Sequence, residues 1–127
     1  MLFVEHFRLQ IVDEDDLTYG LSKVTKTGGV TGNTTGILSN MNVMAGLTLR
    51  EDCSICFPFY NCFEISNNNH QFFANGDSGS GVFLCNENGI RTNKAIGIGV
   101  AIRNNSTLVC NIREIVRAFN IDVSEQD

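Results

Sequence analysis

The sequence has few of the features that mark membrane, secreted or nucleic-acid-binding proteins. The apolar run after Met1 is only three residues long, which is too short for the core of a signal peptide. No apolar run approaches the length of a membrane span. A net charge of −5 disfavours a nucleic acid or an anionic membrane as a partner. We therefore expect neither partner, and either a cytoplasmic chain or one whose natural start lies upstream of Met1.

The cysteines are odd in number, whereas the cysteines of a secreted disulfide framework usually pair completely. Reduced thiols are therefore expected, and they favour a cytoplasmic location. Cys53, Cys56 and Cys62, with His70 as a fourth ligand, would give a small zinc-binding β domain. No second Cys-x-x-Cys completes such a site, and buried thiols are common in β cores. We therefore favour buried structural cysteines over a zinc site, and we expect no metal and no cofactor.

Short apolar segments alternate with glycine and asparagine turns along most of the chain. No helical crossover pattern separates these segments, so a parallel α/β sheet is disfavoured. Many short strands with frequent turns are typical of an antiparallel barrel or sandwich. The predicted strands cover residues 22–26, 35–38, 43–49, 55–59, 62–65, 81–85, 94–102 and 107–110.

Two segments differ from this β pattern. The acidic run at residues 13–16 predicts an exposed linker. Residues 111–119 carry apolar side chains at the spacing i, i+3, i+4, i+7, which predicts an amphipathic helix. Asn111 is a suitable N-cap for that helix. The sequence therefore predicts a β chain that ends in a single helix.

The most informative motif is Gly-Asp-Ser-Gly-Ser-Gly at residues 76–81. A serine between glycines on a tight turn can present its hydroxyl beside unshielded backbone N–H groups. Acyl transfer needs this arrangement, because it requires a nucleophilic oxygen and donors aimed at the oxyanion. The motif does not fit the Gly-x-Ser-x-Gly elbow of α/β-hydrolases, because position 80 is serine.

The motif resembles the nucleophile loop of the chymotrypsin/trypsin-like serine proteases. Residues 24–36, with a Lys-x-Gly-x-x-Thr-Gly core, resemble the hairpin that opens the second barrel of these enzymes, and residues 95–99 resemble the strand that borders the substrate. The predicted C-terminal helix also resembles the family, whose catalytic domain ends in a helix. The resemblance implies an all-β, antiparallel Greek-key β-barrel with a C-terminal α-helix. Residues 20–127 would be the C-terminal barrel, and residues 1–19 an N-terminal linker or remnant.

The resemblance assigns roles to the residues of this motif. Ser78 would be the nucleophile, and the N–H groups of Gly76 and Ser78 would form the oxyanion hole. Asp77 would hold the loop in its active shape by pairing with a buried cation, which the sequence does not identify. Gly97 and Gly99 would border the substrate.

Two phenylalanines bear on substrate specificity. In the family, the position six residues before the nucleophile lies at the bottom of the primary specificity pocket, which here gives Phe72, with Phe73 beside it. The expected pocket is shallow or apolar, and it does not favour basic residues. The alternative is that both phenylalanines are core residues of the preceding segment.

The family also needs a histidine and an aspartate from a first barrel, which this chain is too short to include. His6 and His70 lie in contexts unlike the histidine motif of the family. Two functions remain open. The chain is the C-terminal half of a serine endopeptidase that acts on a peptide or protein, with the first barrel supplied upstream or in trans. Alternatively, it is a non-catalytic protease-like binding module. Under either interpretation the chain alone should be inactive.

Overall fold

A computed structural model describes residues 10–18, 21–48, 56–67, 71–103 and 105–119. A single turn of 3-10 helix, Glu14–Asp16, lies between the first two of its seven strands. The strands and the one described α-helix are β1 (Gln10–Ile11), β2 (Lys23–Gly28), β3 (Gly32–Thr48), β4 (Cys56–Asn67), β5 (Gly81–Cys85), β6 (Arg91–Arg103), β7 (Ser106–Asn111) and α1 (Ile112–Phe119).

Six of the strands close into an antiparallel barrel. Around the barrel the order is β6, β5, β2, β3, β4 and β7, and β7 pairs again with β6. The strands β2, β3 and β4 are neighbours in sequence and in space, whereas the chain then crosses to β5 on the far side of β2. This is Greek-key connectivity. The predicted all-β barrel with a C-terminal helix is confirmed.

The longest strands differ from the sequence prediction. The segments predicted at 35–38 and 43–49 belong to one strand, β3, and those at 55–59 and 62–65 belong to β4. The β3–β4 register shifts three times between Leu38 and Ala45, and Asn61 of β4 has a positive φ of 59°. These are bulges within paired strands, where the sequence predicted breaks. The residue types that favour turns also favour bulges, so the sequence did not distinguish them.

The core fills the interior of the barrel. Alternate residues point inward from each strand, so a single apolar set serves the whole barrel. Each fully buried aliphatic side chain contributes about 1.5–3 kcal/mol relative to an exposed one. The completely buried aliphatic residues of this core are Val24, Leu38, Ile65, Val82, Ile96 and Val109.

The segment before the barrel packs on it. Strand β1 runs parallel to β6, with Ile11 opposite Ala95. Val12 and Leu17 are both buried in the barrel core. Within the acidic run, Asp13 and Asp15 are exposed, as predicted for a linker. The rest of the segment is anchored, because the side chains of residues 12 and 17 join the core.

The terminal helix follows β7 without a loop. The Oδ1 atom of Asn111 accepts a hydrogen bond from the N–H of Arg113 at 2.9 Å, which is the predicted N-cap. The Arg113 guanidinium donates to the carbonyl of Val12 at 2.9 Å, so the helix is tied to the N-terminal segment. Among the described residues, no helix has the length and apolar character needed to cross a membrane.

Candidate active site

The loop that carries Ser78 is shaped by two glycines. Gly76 and Gly79 have φ angles of 100° and 93°, which residues with a Cβ rarely adopt. Ser78 lies between them and is exposed, whereas the side chain of Asp77 points into the barrel and is 1% exposed. The loop therefore presents one side chain outward and buries the next.

The Asp77 carboxylate is saturated with hydrogen bonds. Its Oδ1 accepts from the N–H groups of Val30 at 2.8 Å and Thr31 at 3.2 Å. Its Oδ2 accepts from the Thr31 hydroxyl at 2.6 Å and from the N–H of Ala74 at 2.9 Å. Burial acts to raise the pKa of Asp77, but these hydrogen bonds outweigh it and hold that pKa well below its usual range. Asp77 is therefore a buried anion.

Lys26 is the buried cation that faces this anion. Its Nζ lies 3.6 Å from Oδ2 of Asp77, and both side chains are completely buried. The same Nζ donates to the carbonyl of Gly32 at 2.9 Å and to the hydroxyl of Thr31. The buried pair thus has the additional hydrogen bonds that offset the loss of hydration.

The sequence contained a signal for this pair that the sequence analysis did not use. Lys26 shares one face of β2 with Val24, and this face points into the core. A lysine at an inward position of a buried strand needs an anion, because lysine is almost never fully buried unless paired. Among the acidic residues, Asp77 is the one that the resemblance predicts to pair with a buried cation.

Gly28 and Ser80 close this cluster from the opposite side. A Cβ built on Gly28 would overlap the Asp77 carboxylate and lie 2.9 Å from Oγ of Ser80. The Ser80 hydroxyl donates to the Asp77 carbonyl at 2.5 Å. The glycine therefore leaves the space that the buried carboxylate occupies.

The outer side of the loop is joined to β6. The N–H of Gly79 donates to the carbonyl of Gly99 at 2.9 Å, and the N–H of Gly99 donates to the carbonyl of Ser80 at the same distance. The Ser78 hydroxyl donates to the carbonyl of Val100 at 3.2 Å. A serine hydroxyl in this position is exposed to a ligand that approaches along β6.

Two backbone donors beside Ser78 are free of acceptors in the part of the chain that the structure describes. Within the described residues, the N–H groups of Gly76 and Ser78 have no hydrogen-bond acceptor. Both residues are exposed, so these donors are open to solvent or to a ligand. Free N–H groups next to a serine hydroxyl are the components that an oxyanion hole requires.

The barrel has counterparts among solved proteins. The sequence matches no protein-family model and no curated protein sequence. The structure is similar to that of a chymotrypsin from Cellulomonas bogoriensis, with a TM-score of 0.53 and 20% identity over 82% of this chain and 51% of that chain. It is also similar to a glutamic-acid-specific serine protease that uses a histidine triad in substrate binding, with a TM-score of 0.53 and 19% identity over 90% and 52% of the two chains.

The chain has a chymotrypsin/trypsin-like fold. It spans about half the length of the two solved proteins, since 51% and 52% of those chains are covered. A chymotrypsin-like catalytic domain contains two barrels, and the described residues of this chain form one closed barrel, which is consistent with that coverage.

Within this fold, the two glycines of β6 are explained by internal packing. A Cβ on Gly97 would overlap the carbonyl of Cys110 on β7. A Cβ on Gly99 would lie 2.5 Å from the Phe73 ring. Both glycines are buried, so they let the backbone of β6 approach its neighbours closely. Their place at a substrate border stays a prediction.

Both phenylalanines are buried in the core of the barrel, which fits the alternative interpretation, but their surroundings differ. Phe72 is completely buried in the core, and its backbone is held by Asn67 and by the Thr34 hydroxyl, at 2.9 and 2.6 Å. It therefore has no surface to offer a substrate, which corrects its predicted place at the bottom of a pocket. Phe73 is 2% exposed and forms one wall of a surface cleft.

This cleft has a volume of about 390 Å³ and is named here the polar cleft. Most of its lining carries amide or hydroxyl groups. The expectation of a shallow or apolar specificity pocket stays a prediction. No residue that lines it among those described is charged. The lining residues are Asn67, Gln71, Phe73, Ile102, Asn105, Ser106 and Thr107.

Several sequence candidates lie outside the described residues. They include His6 and His70, the two histidines of the chain, so the described part contains no imidazole. Cys53 of the suggested zinc site is also outside it. The thiols of Cys85 and Cys110 are buried, and burial raises the pKa of each. Buried protonated thiols are unreactive, which is consistent with a structural role for these two cysteines.

Proposed function

We propose that this chain is the C-terminal barrel of a serine-type endopeptidase, with Ser78 as its nucleophile. One observation carries the proposal: Ser78 is exposed on a loop that the buried Lys26–Asp77 pair holds in shape. A β-barrel has no need of a buried ion pair beneath an exposed serine. An enzyme does, because an oxyanion hole must be formed before the substrate binds.

The proposed reaction is acyl transfer to Ser78. The serine oxygen adds to the peptide carbonyl, and the oxyanion receives hydrogen bonds from the N–H groups of Gly76 and Ser78. The C–N bond then breaks, an ester forms on Ser78, and the serine proton passes through a base to the leaving amine. Water hydrolyses the ester to release the acid. The base and its aspartate would come from a first barrel, supplied upstream or in trans.

A second candidate is a non-catalytic protease-like binding module. The hydrogen bond from Ser78 to the carbonyl of Val100 favours it, because a backbone carbonyl accepts a hydrogen bond but cannot take the proton. The described residues contain no histidine that could accept the serine proton in place of this carbonyl. Under this proposal the loop would bind a peptide along β6 without cleaving it.

Active-site labelling separates the two proposals. A fluorophosphonate probe should label the protein only when a barrel with a histidine and an aspartate is joined to this chain, and Ser78→Ala should abolish the label. The chain alone should react negligibly. Failure of the joined protein to react, with a folded second barrel, would favour the binding module. Rapid labelling of the chain alone would mean that a base lies within it, and His6 and His70 would be the candidates.

A further inference from the structure

The polar cleft and the Ser78 hydroxyl both contact strand β6. The Ser78 hydroxyl reaches the carbonyl of Val100, and Ile102 of the cleft is two residues further along β6. Two residues of a strand extend about 6–7 Å. Phe73, another wall of the cleft, packs against Gly99 of the same strand. The cleft therefore begins about one side chain's length from the serine oxygen.

Two amide side chains of the cleft keep one hydrogen-bonding group each for a ligand. Asn67 uses its Oδ1 to accept from the N–H of Phe72 at 2.9 Å, and its Nδ2 has no acceptor within the described residues. Gln71 uses its Nε2 to donate to the carbonyl of Phe73 at 3.2 Å, and its Oε1 has no donor there. One donor and one acceptor therefore remain on the cleft wall.

Thr107 adds a hydroxyl to this pair. The residue is 2% exposed and lines the cleft. Its hydroxyl forms no hydrogen bond with another residue of the described chain. Among the described residues, no buried side-chain oxygen or nitrogen lacks a hydrogen-bond partner, so the Thr107 hydroxyl is in contact with the water of the cleft. A ligand that displaces this water must replace its hydrogen bond, because an unpaired hydroxyl costs free energy.

The lining selects against charged and against purely apolar groups. A charged side chain would lose hydration without finding a partner of opposite charge among the described lining residues. An apolar side chain would leave the Thr107 hydroxyl and the two amide groups unpaired. A carboxamide has both a donor and an acceptor, and its methylene stem can lie between Phe73 and Ile102.

We propose that the polar cleft binds a carboxamide side chain of the glutamine type, carried by the residue whose acyl group is transferred to Ser78. This inference rests on the proposed function for the link to Ser78. Carboxamide recognition itself rests on the cleft alone. It can therefore be measured without any catalysis.

The test is a solution NMR titration of the isotopically labelled chain. The ligand is N-acetyl-glutamine N-methylamide, and the matched compounds carry glutamate, methionine or lysine in place of glutamine. The glutamine compound should shift the amide signals of Gln71, Ile102 and Thr107, and it should bind about fivefold more tightly than each of the others. Equal affinities, or no shift at the cleft up to the solubility limit, would overturn the proposal.

Two variants make the test specific to the cleft. Thr107→Val keeps the shape of the side chain and removes its hydroxyl, so affinity for the glutamine compound should fall about fivefold. Gln71→Met should reduce the affinity by a similar factor. Because Gln71 is exposed, this substitution should not affect folding. Thr92→Val is the control, since the Thr92 hydroxyl donates to Leu84 outside the cleft at 2.7 Å. A loss of affinity in the control equal to that in Thr107→Val would contradict the assignment.

The two proposals can fail separately. Ser78→Ala should leave the titration unchanged, because the serine oxygen is not part of the cleft. Selective glutamine binding by a protein that is never acylated would reject the peptidase and keep the cleft assignment. A joined two-barrel enzyme that cleaves after lysine, glutamate or phenylalanine would reject the cleft assignment and keep the peptidase.

Discussion

Asp77 and Ser78 are adjacent in the chain but differ in every aspect of their surroundings. Asp77 is 1% exposed and accepts hydrogen bonds from Val30, Thr31 and Ala74, with Lys26 facing it. Ser78 is exposed, and its hydroxyl forms one long hydrogen bond to a backbone carbonyl. The buried residue is fully partnered inside this chain, whereas the exposed residue is not.

This difference separates the shape of the loop from its chemistry. The groups that hold the loop, from β2, from the turn after it and from the loop itself, all belong to this barrel. Among the described residues, the Ser78 hydroxyl donates only to the backbone carbonyl of Val100, which cannot take its proton, and no histidine is present. The barrel therefore holds the serine loop with its own residues, and changes on the two sides should have very different effects.

The largest effect is expected for Lys26→Met. The methionine fills the space of the lysine stem but leaves the Asp77 carboxylate buried without a cation. Breaking one partner of a buried pair costs about 3–5 kcal/mol in the free energy of unfolding. Urea denaturation followed by circular dichroism measures it.

Two matched variants define that result. Lys23→Met lies on the same strand at an exposed position and should change stability by less than about 0.5 kcal/mol. Adding Asp77→Asn to Lys26→Met should restore part of the loss, because the buried charge is then gone. A double variant less stable than Lys26→Met would contradict the ion-pair explanation.

A smaller effect is expected for Gly28→Ala. The added methyl group overlaps the Asp77 carboxylate, which is fixed by hydrogen bonds and cannot move freely. Overpacking of this kind costs about 1–3 kcal/mol. The neighbouring Gly29→Ala is the control, because a Cβ there meets only the Gly76 carbonyl, at 3.9 Å. Equal stability of the two alanine variants would show that the carboxylate is not held as described.

The buried carboxylate should also make the fold sensitive to acid. The folded-state pKa of Asp77 lies below its value of about 3.9 in the unfolded chain, so its stabilising contribution is complete above that pH. The contribution is lost as the pH falls toward the folded-state pKa, by at most about 1.4 kcal/mol per pH unit. Denaturation at pH 7, 4 and 3 measures this loss. In Asp77→Asn this part of the pH dependence should be absent, and an unchanged slope would assign it to other carboxylates.

The sequence predicted the barrel and its helix because their signals are local. Alternating apolar residues and an N-cap at Asn111 act within a few residues. The continuous strands β3 and β4 were missed, because asparagine and glycine mark a bulge inside a strand as readily as its end. That choice depends on the partner strand, which the sequence does not display.

The site was predicted less evenly. The Gly76–Gly81 motif located the serine loop, since glycine and serine at those positions meet a local backbone requirement. Lys26, the partner of Asp77, lies 51 residues away in the sequence and was found only when β2 was placed beside the loop. Phe72 and Phe73 are both buried in the core, but the sequence left open whether they line a pocket, because one residue of loop length decides where each ring points. The polar cleft is formed by residues from two distant stretches of the sequence, which no single motif encodes: Asn67, Gln71 and Phe73 in one, and Ile102, Asn105, Ser106 and Thr107 in the other.

The smallest effect on stability is expected for Ser78→Ala. The hydroxyl is exposed and its single hydrogen bond, to Val100, is 3.2 Å long, so its loss should change the free energy of unfolding by less than about 0.5 kcal/mol. Ser80→Ala is the matched variant in the same loop. Its half-buried hydroxyl donates to the Asp77 carbonyl at 2.5 Å, and its removal should cost about 1 kcal/mol. Thermal denaturation of the two variants measures the difference. A larger loss of stability in Ser78→Ala than in Ser80→Ala would contradict this prediction. It would mean that the Ser78 hydroxyl stabilises the loop and does not serve only a ligand.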